Sequence, residues 1–279
     1  IEREKNWKNY SDIYKKYTEF YHENLLKNEN LNFVREYLKN RNLSKEEVKI
    51  FKIGFVEKNA NLFEEFKNNY DVKFLVETGL FYLDENKNIY IERFKNRIIF
   101  PINNISGQPI ALGGRIIENK NYLAKYINSP ETPFFKKGSN LYNLDVARKF
   151  SNKINHVYLV EGYMDVIGLN KNKIENVVAN LGTSLTERQI IILNQFFDDI
   201  IICFDGDESG YKAALRAAEN SIKDMKPEKQ ISFLFLPDQE DPDSFVNKNG
   251  KEYFFDYAKQ NKILIHQFIF DHYKKNSQN

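Results

Sequence analysis

The sequence predicts an α/β fold, mixed α+β over the whole chain, that is built around a parallel sheet with crossover helices. Three apolar runs rich in Val, Ile, Leu and Phe end abruptly in carboxylates, as buried parallel strands do where they open into a site. A fourth apolar run and three segments with helical spacing give the order β-α-β-α-β-α-β. The long runs are HVYLVEGYMDV, IIICFDGDESG and FLFLPDQEDPD, the short run is residues 177–181, and the helical segments are residues 164–170, 186–197 and 209–222.

The part of the chain before this sheet begins with helices. Residues 1–37 carry apolar residues at spacings of three and four with charges between them, which predicts helix. Ser44 and Glu47 have the spacing of a capping box, so we expect a helix over residues 45–51 that stops before Gly54. Two further short helices are predicted over residues 61–70 and 73–78.

Residues 81–117 change character, because they alternate and turn as antiparallel β-hairpins do. Turn signals lie at residues 84–88, at 106–107 and at the pair Gly113-Gly114. An ordered loop over residues 125–142 and a short helix over 145–150 lead into the parallel sheet. After Asp243, the segments SFVNKNGKEYFFDYAKQ and KILIHQFIFDHYKKN predict amphipathic helices.

The composition excludes several classes of protein. Of 279 residues 42% are apolar and 29% charged, and no apolar run approaches the roughly 20 residues that span a bilayer. Since no signal peptide is visible, we expect a cytoplasmic protein with no membrane partner. The single cysteine, Cys203, lies in an apolar run and is expected in the core, so internal disulfides and cysteine-rich zinc sites are excluded. Residue 1 is Ile and not Met, which predicts a piece of a longer protein.

Charge is distributed unevenly along the chain. Residues 87–149 contain eleven Lys or Arg against four Asp or Glu, a net charge of +7, whereas residues 157–246 contain eight against sixteen, a net charge of −8. This asymmetry suits a polyanion held on a basic surface and a separate acidic centre that binds metal. Chance clustering on solvated faces explains the same charges equally well.

Carboxylates follow each of the three long strands, and ligands of open parallel sheets collect at that edge. Asp205 and Asp207 lie two residues apart around Gly206, a spacing that lets them share a hard cation. Each carboxylate taken singly is explained as well by a surface turn or a helix cap. Their coincidence at three strand ends of one sheet favours a metal site. The other members of the set are Glu161, Asp165, Asp241 and Asp243.

Four motifs, EGYMDV, NLGTSLTERQ, FDGDESGYKAALRA and LPDQEDPDSF, occur in an order that resembles the TOPRIM domain of bacterial DnaG-type replicative primases. Three upstream stretches resemble the basic N-terminal subdomain of the same family: YLKNRNLSKEEVKIFKIGF, RFKNRIIFPINNISGQPIALGGRII and AKYINSPETPFFKKGSNLYNLDVARK. The resemblance covers roughly residues 30–250. It implies a basic α+β subdomain over residues 1–152, a TOPRIM catalytic domain over 153–246, and a partly represented helical C-terminal subdomain over 247–279.

The resemblance implies an RNA polymerase core that makes short RNA primers from NTPs on single-stranded DNA, with Mg²⁺ or Mn²⁺ as cofactor. Whether Glu161 acts as a metal ligand or as a general base stays open. The implied catalytic carboxylates are Glu161, Asp165, Asp205, Asp207, Asp241 and Asp243, and the implied metal ligands among them are Glu161, Asp205, Asp207 and Asp241. The implied contacts to nucleotide phosphates or template are Arg115, Lys125, Asn128 and Lys137, and a basic track adds Arg41, Arg93 and Arg97.

The chain departs from the complete family pattern, which includes an N-terminal zinc module and a C-terminal helicase-binding domain. One cysteine and four scattered histidines cannot build the zinc site, so we expect no zinc in this chain. In the full-length protein the replicative helicase and the single-strand-binding protein are expected partners. The chain itself is expected to be a monomer.

Two other functions stay open. One is a TOPRIM nuclease or topoisomerase fragment, although a topoisomerase needs a tyrosine nucleophile in a separate domain and none is apparent. The other is a non-catalytic nucleic-acid-binding module that keeps the fold. The basic N-terminal motifs argue against the first, and the intact acidic set argues against the second.

Overall fold

The computed structural model describes residues 2–118, 123–182, 185–221 and 228–276, and the chain forms two compact units, residues 1–136 and 137–279. Ile1 and Ile222, at the ends of two predicted helices, lie outside the described residues. Among the described residues no helix is both long and apolar enough to cross a membrane. The division into three parts at residues 152 and 246 stays a prediction.

The first unit is mixed α+β, as predicted. Its helices are α1 (Glu2–Lys27), α2 (Asn32–Asn40), α3 (Lys45–Ile50), α4 (Leu62–Phe66) and α5 (Val72–Glu77), and its strands are β1 (Gly54–Val56), β2 (Phe81–Asp84), β3 (Ile89–Glu92), β4 (Arg97–Asn103), β5 (Pro109–Ile116) and β6 (Tyr126–Asn128). The capping box is confirmed, since Ser44 Oγ accepts the Glu46 N–H at 3.1 Å and Glu47 Oε2 accepts the Ser44 N–H at 2.8 Å.

The antiparallel hairpins are confirmed in part. Strands β2 and β3 form one hairpin, and the sheet β1-β4-β5-β6 contains the other. The turn predicted at Gly113-Gly114 is wrong, because both residues lie inside β5 and pair with strands on both sides. A Cβ at Gly114 would lie 2.5 Å from Cδ1 of Phe94, so glycine serves close packing here. The loop predicted over residues 125–142 contains the strand β6.

Helix α1 packs through a stripe of buried tyrosines at helical spacing, Tyr10, Tyr14, Tyr17 and Tyr21. The hydroxyls of Tyr17 and Tyr21 donate to Oε2 of Glu92 at 2.9 and 2.5 Å. The Leu62 N–H donates to Oε1 of the same carboxylate at 2.6 Å. Glu92 is only 2% exposed, so this buried carboxylate joins α1, α4 and β3 through hydrogen bonds.

The second unit shows the predicted alternation of strands and helices. Its helices are α6 (Leu144–Ala147), α7 (Tyr163–Lys171), α8 (Glu187–Leu193), α9 (Glu208–Ser221), α10 (Pro242–Asn249), α11 (Lys251–Asn261) and α12 (Ile265–Asn276), and its strands are β7 (His156–Val160), β8 (Val177–Ala179), β9 (Asp199–Phe204), β10 (Gln230–Phe235) and β11 (Ile263–Leu264).

The strand order is β11-β10-β9-β7-β8, and all neighbours except β10 and β11 are parallel. This order makes β7, β9 and β10 adjacent, so their carboxyl ends meet at one edge. The antiparallel strand β11, which the sequence did not predict, pairs with Ser232 and Phe233. At the other margin Tyr142 exchanges two backbone hydrogen bonds with Ala179. Cys203 is 1% exposed, as expected of a core residue.

Candidate active site

Glu161 lies directly after β7, at the carboxyl edge of the sheet. Gly162 then turns the chain into α7. In the first turn of that helix Oδ2 of Asp165 accepts the N–H of Gly162 at 3.0 Å. The hydrogen bond places the half-buried Asp165 carboxylate at the helix N-terminus, next to the end of β7.

Asp205 and Asp207 follow β9, with Gly206 between them. Asp205 is half-buried, whereas Asp207 is exposed and its Oδ1 accepts the N–H of Gly210 at 2.7 Å, at the start of α9. A Cβ at Gly206 would lie 2.2 Å from the Leu236 carbonyl oxygen. Glycine therefore lets the loop after β9 approach the backbone that follows β10.

Asp241 and Asp243 follow β10 and flank the first residue of α10. Asp241 caps this helix, because its Oδ1 accepts the Ser244 N–H at 2.7 Å. Asp243 accepts a hydrogen bond from Nδ2 of Asn247 at 2.6 Å. A Cβ at Gly168 would lie 2.1 Å from Oδ1 of Asp243, so glycine permits the close contact between α7 and α10.

These carboxylates act on one another electrostatically. Burial and the charges of Asp205 and Asp207 raise the pKa of Glu161. Burial and the charges of Asp241 and Asp207 raise the pKa of Asp205. Burial raises the pKa of Asp165 to about 8, and the charge of Asp241 adds to the effect. The structure thus brings the predicted carboxylates of all three strand ends into one electrostatic environment, where negative charges repel unless a cation is bound.

The donor chemistry of this set fits a hard cation such as Mg²⁺ or Mn²⁺, which prefers carboxylate oxygens. In the described ranges no three His, Cys, Asp or Glu side chains lie close enough together to enclose one ion. Mg²⁺ does not require such a cage, because it usually keeps several waters and binds through one or two carboxylates and substrate phosphates. Glu161, Asp205, Asp207 and Asp241 therefore stay the predicted ligands.

A cavity of about 270 Å³ lies next to Glu161 and is lined by apolar residues of β7 and β9 and by Asn180 and Arg216. Oδ1 of Asn180 is buried and has no hydrogen-bond partner within the described part of the chain. Sequence reasoning did not single out Asn180 or Arg216. Both lie inside motifs that carry the family resemblance, NLGTSLTERQ and FDGDESGYKAALRA, and that position is the signal that could have found them.

In the first unit, two of the predicted nucleotide- or template-binding residues, Arg41 and Arg115, both contact the side chain of Tyr37. Nε of Arg115 donates to Oη of Tyr37 at 2.8 Å. The guanidinium carbons of Arg115 and Arg41 lie 5.9 and 6.0 Å from the centroid of the Tyr37 ring. Arg115 also donates to the hydroxyl of Tyr126, its neighbour across β5 and β6, and is only 5% exposed.

Arg93 and Arg97 hold backbone carbonyls. Nε of Arg93 donates to the Gly79 oxygen at 2.7 Å, and its guanidinium lies 5.4 Å from the ring centroid of Tyr82. Arg97 is 6% exposed and donates to the Lys125 carbonyl at 3.3 Å. Both arginines thus stabilise the first unit through hydrogen bonds to backbone carbonyls. Their contact with template stays a prediction.

The other three predicted contacts differ in exposure. Lys125 is exposed, and Asn128 is half-buried in β6 opposite Gly113. Lys137, in the second unit, is half-buried and begins a 3₁₀ turn. Its carbonyl accepts a hydrogen bond from Nε2 of Gln189 at 3.1 Å, which ties this turn to the first turn of α8.

Two family profiles match the chain in succession. The profile described as "DNA primase catalytic core, N-terminal domain" matches residues 20–148, and the profile described as "Toprim domain" matches residues 155–235. The second range contains Glu161, Asp165, Asp205 and Asp207.

Among curated proteins, the chain is similar to the DNA primase of Haemophilus influenzae, with 38% identity over 240 residues, which are 85% of this chain and 40% of that protein. The DNA primase of Buchnera aphidicola is 40% identical over 262 residues, 91% of this chain and 44% of that protein. The chain therefore spans about 40% of the length of the curated relatives that it matches.

Solved structures show the same likeness over most of the chain. A DNA primase domain from Pseudomonas aeruginosa superposes with a TM-score of 0.88 at 35% identity, covering 94% of this chain and 82% of that one. A DnaG primase catalytic domain bound to single-stranded DNA gives a TM-score of 0.87 at 35% identity, covering 96% and 85%. With the parallel sheet, its acidic edge and the two successive profile matches, these likenesses show that the chain belongs to the DnaG primase catalytic core family.

Proposed function

We propose that this chain is the polymerase core of a bacterial primase, a nucleotidyltransferase that makes short RNA primers from NTPs on single-stranded DNA during replication. The observation that carries this proposal is the acidic edge, where carboxylates follow three adjacent strands, and where burial and the neighbouring carboxylates raise the pKa of Glu161, Asp165 and Asp205. A set of this kind suits divalent cations that bridge to a triphosphate. The related catalytic domain that was solved with single-stranded DNA supports the choice of template.

In nucleotidyl transfer the 3′-hydroxyl of the growing RNA attacks the α-phosphorus of the incoming NTP, and pyrophosphate leaves. Bound Mg²⁺ or Mn²⁺ would stabilise negative charge on the attacking and leaving oxygens, held by Glu161, Asp205, Asp207 and Asp241. Glu161 has a second possible role, because its raised pKa suits a group that takes the proton of the attacking hydroxyl. Asp165 and Asp243 add to the negative field that holds cations at this edge.

The basic residues would hold phosphate groups without reading the base sequence. The exposed Lys125 suits a phosphate contact directly. Arg41 and Arg115 place two guanidinium groups beside the side chain of Tyr37. The geometry of a guanidinium group matches that of phosphate oxygens. Asn128 and Lys137 would add polar contacts, and Arg93 and Arg97 would extend the basic track.

Primer synthesis by the full 279-residue chain tests this proposal directly. Labelled NTPs, single-stranded template and Mg²⁺ or Mn²⁺ are incubated with the wild type, Asp205→Asn and Glu161→Gln. Each variant should lose at least about a hundredfold in rate, since the charge stabilised by metal ions is worth several kcal/mol. Glu219→Gln, an exposed change on α9, is the matched control and should keep the wild-type rate.

Other outcomes would change the assignment. Cleavage of the template would make the chain a nuclease, an alternative that the comparisons do not favour. If the wild-type protein binds template but makes no primer, the chain is a nucleic-acid-binding module and not a polymerase. Primer synthesis by Asp205→Asn at the wild-type rate would show that the acidic edge is not the catalytic site.

The setting of the protein belongs to the proposal as well. A cytoplasmic location, a monomeric state, and contacts of a full-length primase with the replicative helicase and the single-strand-binding protein stay predictions. Sedimentation of the chain tests the monomeric state, and sedimentation of the full-length protein with and without each partner tests the contacts.

A further inference from the structure

Tyr37 occupies an unusual place between two cations of the first unit. It lies on α2, one helical turn before Arg41, whose N–H bonds to the Tyr37 carbonyl at 3.2 Å. Arg115 comes from β5 and reaches the same side chain, with its guanidinium carbon 5.9 Å from the ring centroid. The tyrosine therefore links the arginine that follows α2 to an arginine of the sheet.

No carboxylate neutralises these two arginines in the described ranges. None of the ion pairs found there includes Arg41 or Arg115. Arg115 is nevertheless 5% exposed, and its Nε and Nη1 groups each donate one hydrogen bond, to the hydroxyls of Tyr37 and Tyr126. Phenol oxygens and aromatic rings hold a guanidinium in place without cancelling its charge. A carboxylate in the same place would fix the arginine equally well and would repel a phosphate.

We propose that Tyr37 is a positioning residue that holds Arg41 and Arg115 as a pair for phosphate oxygens. This inference rests on the proposed function, in which both arginines contact phosphate. The phosphate has two sources, the template backbone and the triphosphate of an incoming nucleotide, and both present the same oxyanion. Tyr37 itself touches no phosphate and acts by fixing the directions of the two guanidinium groups.

The electrostatic state of Tyr37 agrees with this geometry. Burial alone would raise the pKa of Tyr37, but the hydrogen bond and charge of Arg115, with smaller contributions from Arg41, lower it overall. Both arginines therefore act on one phenol. Tyr126 differs, because burial outweighs Arg115 and raises the pKa of that phenol. The raised pKa keeps the Tyr126 phenol uncharged at neutral pH, so it accepts from Arg115 without cancelling the positive charge.

Two binding measurements test the proposal on the full chain, and neither needs catalysis. Anisotropy of labelled single-stranded DNA is followed over a range of salt, and binding of a non-hydrolysable NTP analogue is followed with Mg²⁺ present. Tyr37→Leu should weaken at least one of the two affinities about tenfold, and loss of a DNA phosphate contact should flatten the salt dependence. Tyr37→Phe keeps the ring and should lose about threefold. The ligand whose affinity falls identifies the source of the phosphate.

A double-mutant cycle separates positioning from general structure. If Tyr37 acts through Arg115, adding Tyr37→Leu to Arg115→Gln should cause little further loss of affinity. Fully additive losses, or wild-type affinity for both ligands in Tyr37→Leu, would overturn the proposal. In primer synthesis KM for the affected ligand should rise, while kcat at saturation changes less than about twofold.

Further variants keep the test decisive. Tyr253→Leu, at an exposed tyrosine of α11, is the matched control and should leave both affinities unchanged. If thermal unfolding shows that Tyr37→Leu does not fold, the same cycle is run with Tyr37→Phe. Normal binding by Arg41→Gln and by Arg115→Gln would contradict their role in the proposed function. Loss in the arginine variants with normal binding in the Tyr37 variants would contradict only the role of Tyr37.

Discussion

Gly162 donates its backbone N–H to Oδ2 of Asp165 across a distance of 3.0 Å. This contact places a carboxylate at the N-terminus of α7, where the helix dipole favours negative charge. Burial and the neighbouring carboxylates oppose that charge and raise the pKa of Asp165 to about 8. The hydrogen bond and the helix dipole thus favour the negative charge of Asp165, whereas burial and the neighbouring carboxylates disfavour it.

Asp165→Asn should separate these two effects. The amide oxygen can still accept the Gly162 N–H, while the repulsive charge is gone. We expect the metal-free protein to gain on the order of 1 kcal/mol in free energy of unfolding at pH 8. Primer synthesis should fall, because the acidic edge loses part of its attraction for cations. Urea unfolding in the presence of a chelator gives the first quantity, and an unchanged or lower value would show that the charge is not unfavourable.

The stability of the metal-free protein should depend on pH in a defined direction. The pKa of Asp165 is about 8 in the folded protein and roughly 3.9 in an unfolded chain, so the folded state binds more protons between these values. The contribution of this group is present below about pH 4 and is lost as the pH rises through about 8. Glu161 and Asp205 shift in the same direction.

Thermal unfolding from pH 5 to pH 8.5 measures this dependence. Mg²⁺ should reduce the loss of stability at high pH, since it binds the ionised carboxylates, and Asp165→Asn should flatten the profile. Identical profiles with chelator and with Mg²⁺ would contradict metal binding at this edge.

Glu92→Gln should destabilise the first unit strongly. The buried carboxylate accepts from Tyr17, Tyr21 and the Leu62 N–H, whereas a neutral amide loses the charge-assisted hydrogen bonds and requires the phenols to accept from its N–H groups instead of donating. We expect a loss of about 2 to 3 kcal/mol in free energy of unfolding. The matched control is Glu23→Gln, which removes an exposed ion pair with Lys27 and should change stability by less than about 1 kcal/mol. Equal effects of the two changes in urea unfolding would refute the role of Glu92.

Gly168→Ala should destabilise the second unit although alanine favours helix. The new Cβ would lie 2.1 Å from Oδ1 of Asp243 and 3.0 Å from its Cα, so α10 must shift. We expect a net loss of about 1 to 3 kcal/mol and a lower rate of primer synthesis. The control is Gly138→Ala, where the nearest atom is 3.4 Å from the added carbon. Comparable Tm values for the two variants would show that α10 can shift without a loss of stability.

The parallel sheet and its acidic edge could be predicted because the signals are local. Strands such as β9 are continuous apolar runs, and Asp205 follows directly after one. The same spacing could not separate a metal ligand from a cap, and Asp207 and Asp241 accept capping hydrogen bonds in the structure. The short strands β6 and β11 were missed, since two or three residues carry no periodic pattern.

Other features depend on partners far away in the sequence. The local sequence predicts Gly114 as a turn residue, whereas the structure shows that the ring of Phe94 packs against it. Arg115 is predicted to contact nucleotide phosphates or template, but its hydrogen bond to Tyr37 spans 78 residues and cannot be predicted from a local pattern. Its family motif singled out the residue as a candidate and gave no sign of its burial.

The two margins of the parallel sheet are closed by short segments outside the Toprim profile. Residues 263–264 pair with β10, and Tyr142 pairs with β8, whereas the profile covers residues 155–235. Strand edges without such partners offer their backbone N–H and C=O groups to other chains. A fragment cut to residues 155–235 would therefore tend to aggregate by adding strands from neighbouring copies, even with every predicted catalytic carboxylate that follows β7 and β9 in place. Fragments for crystallisation or binding work should begin before Tyr142 and extend beyond Leu264.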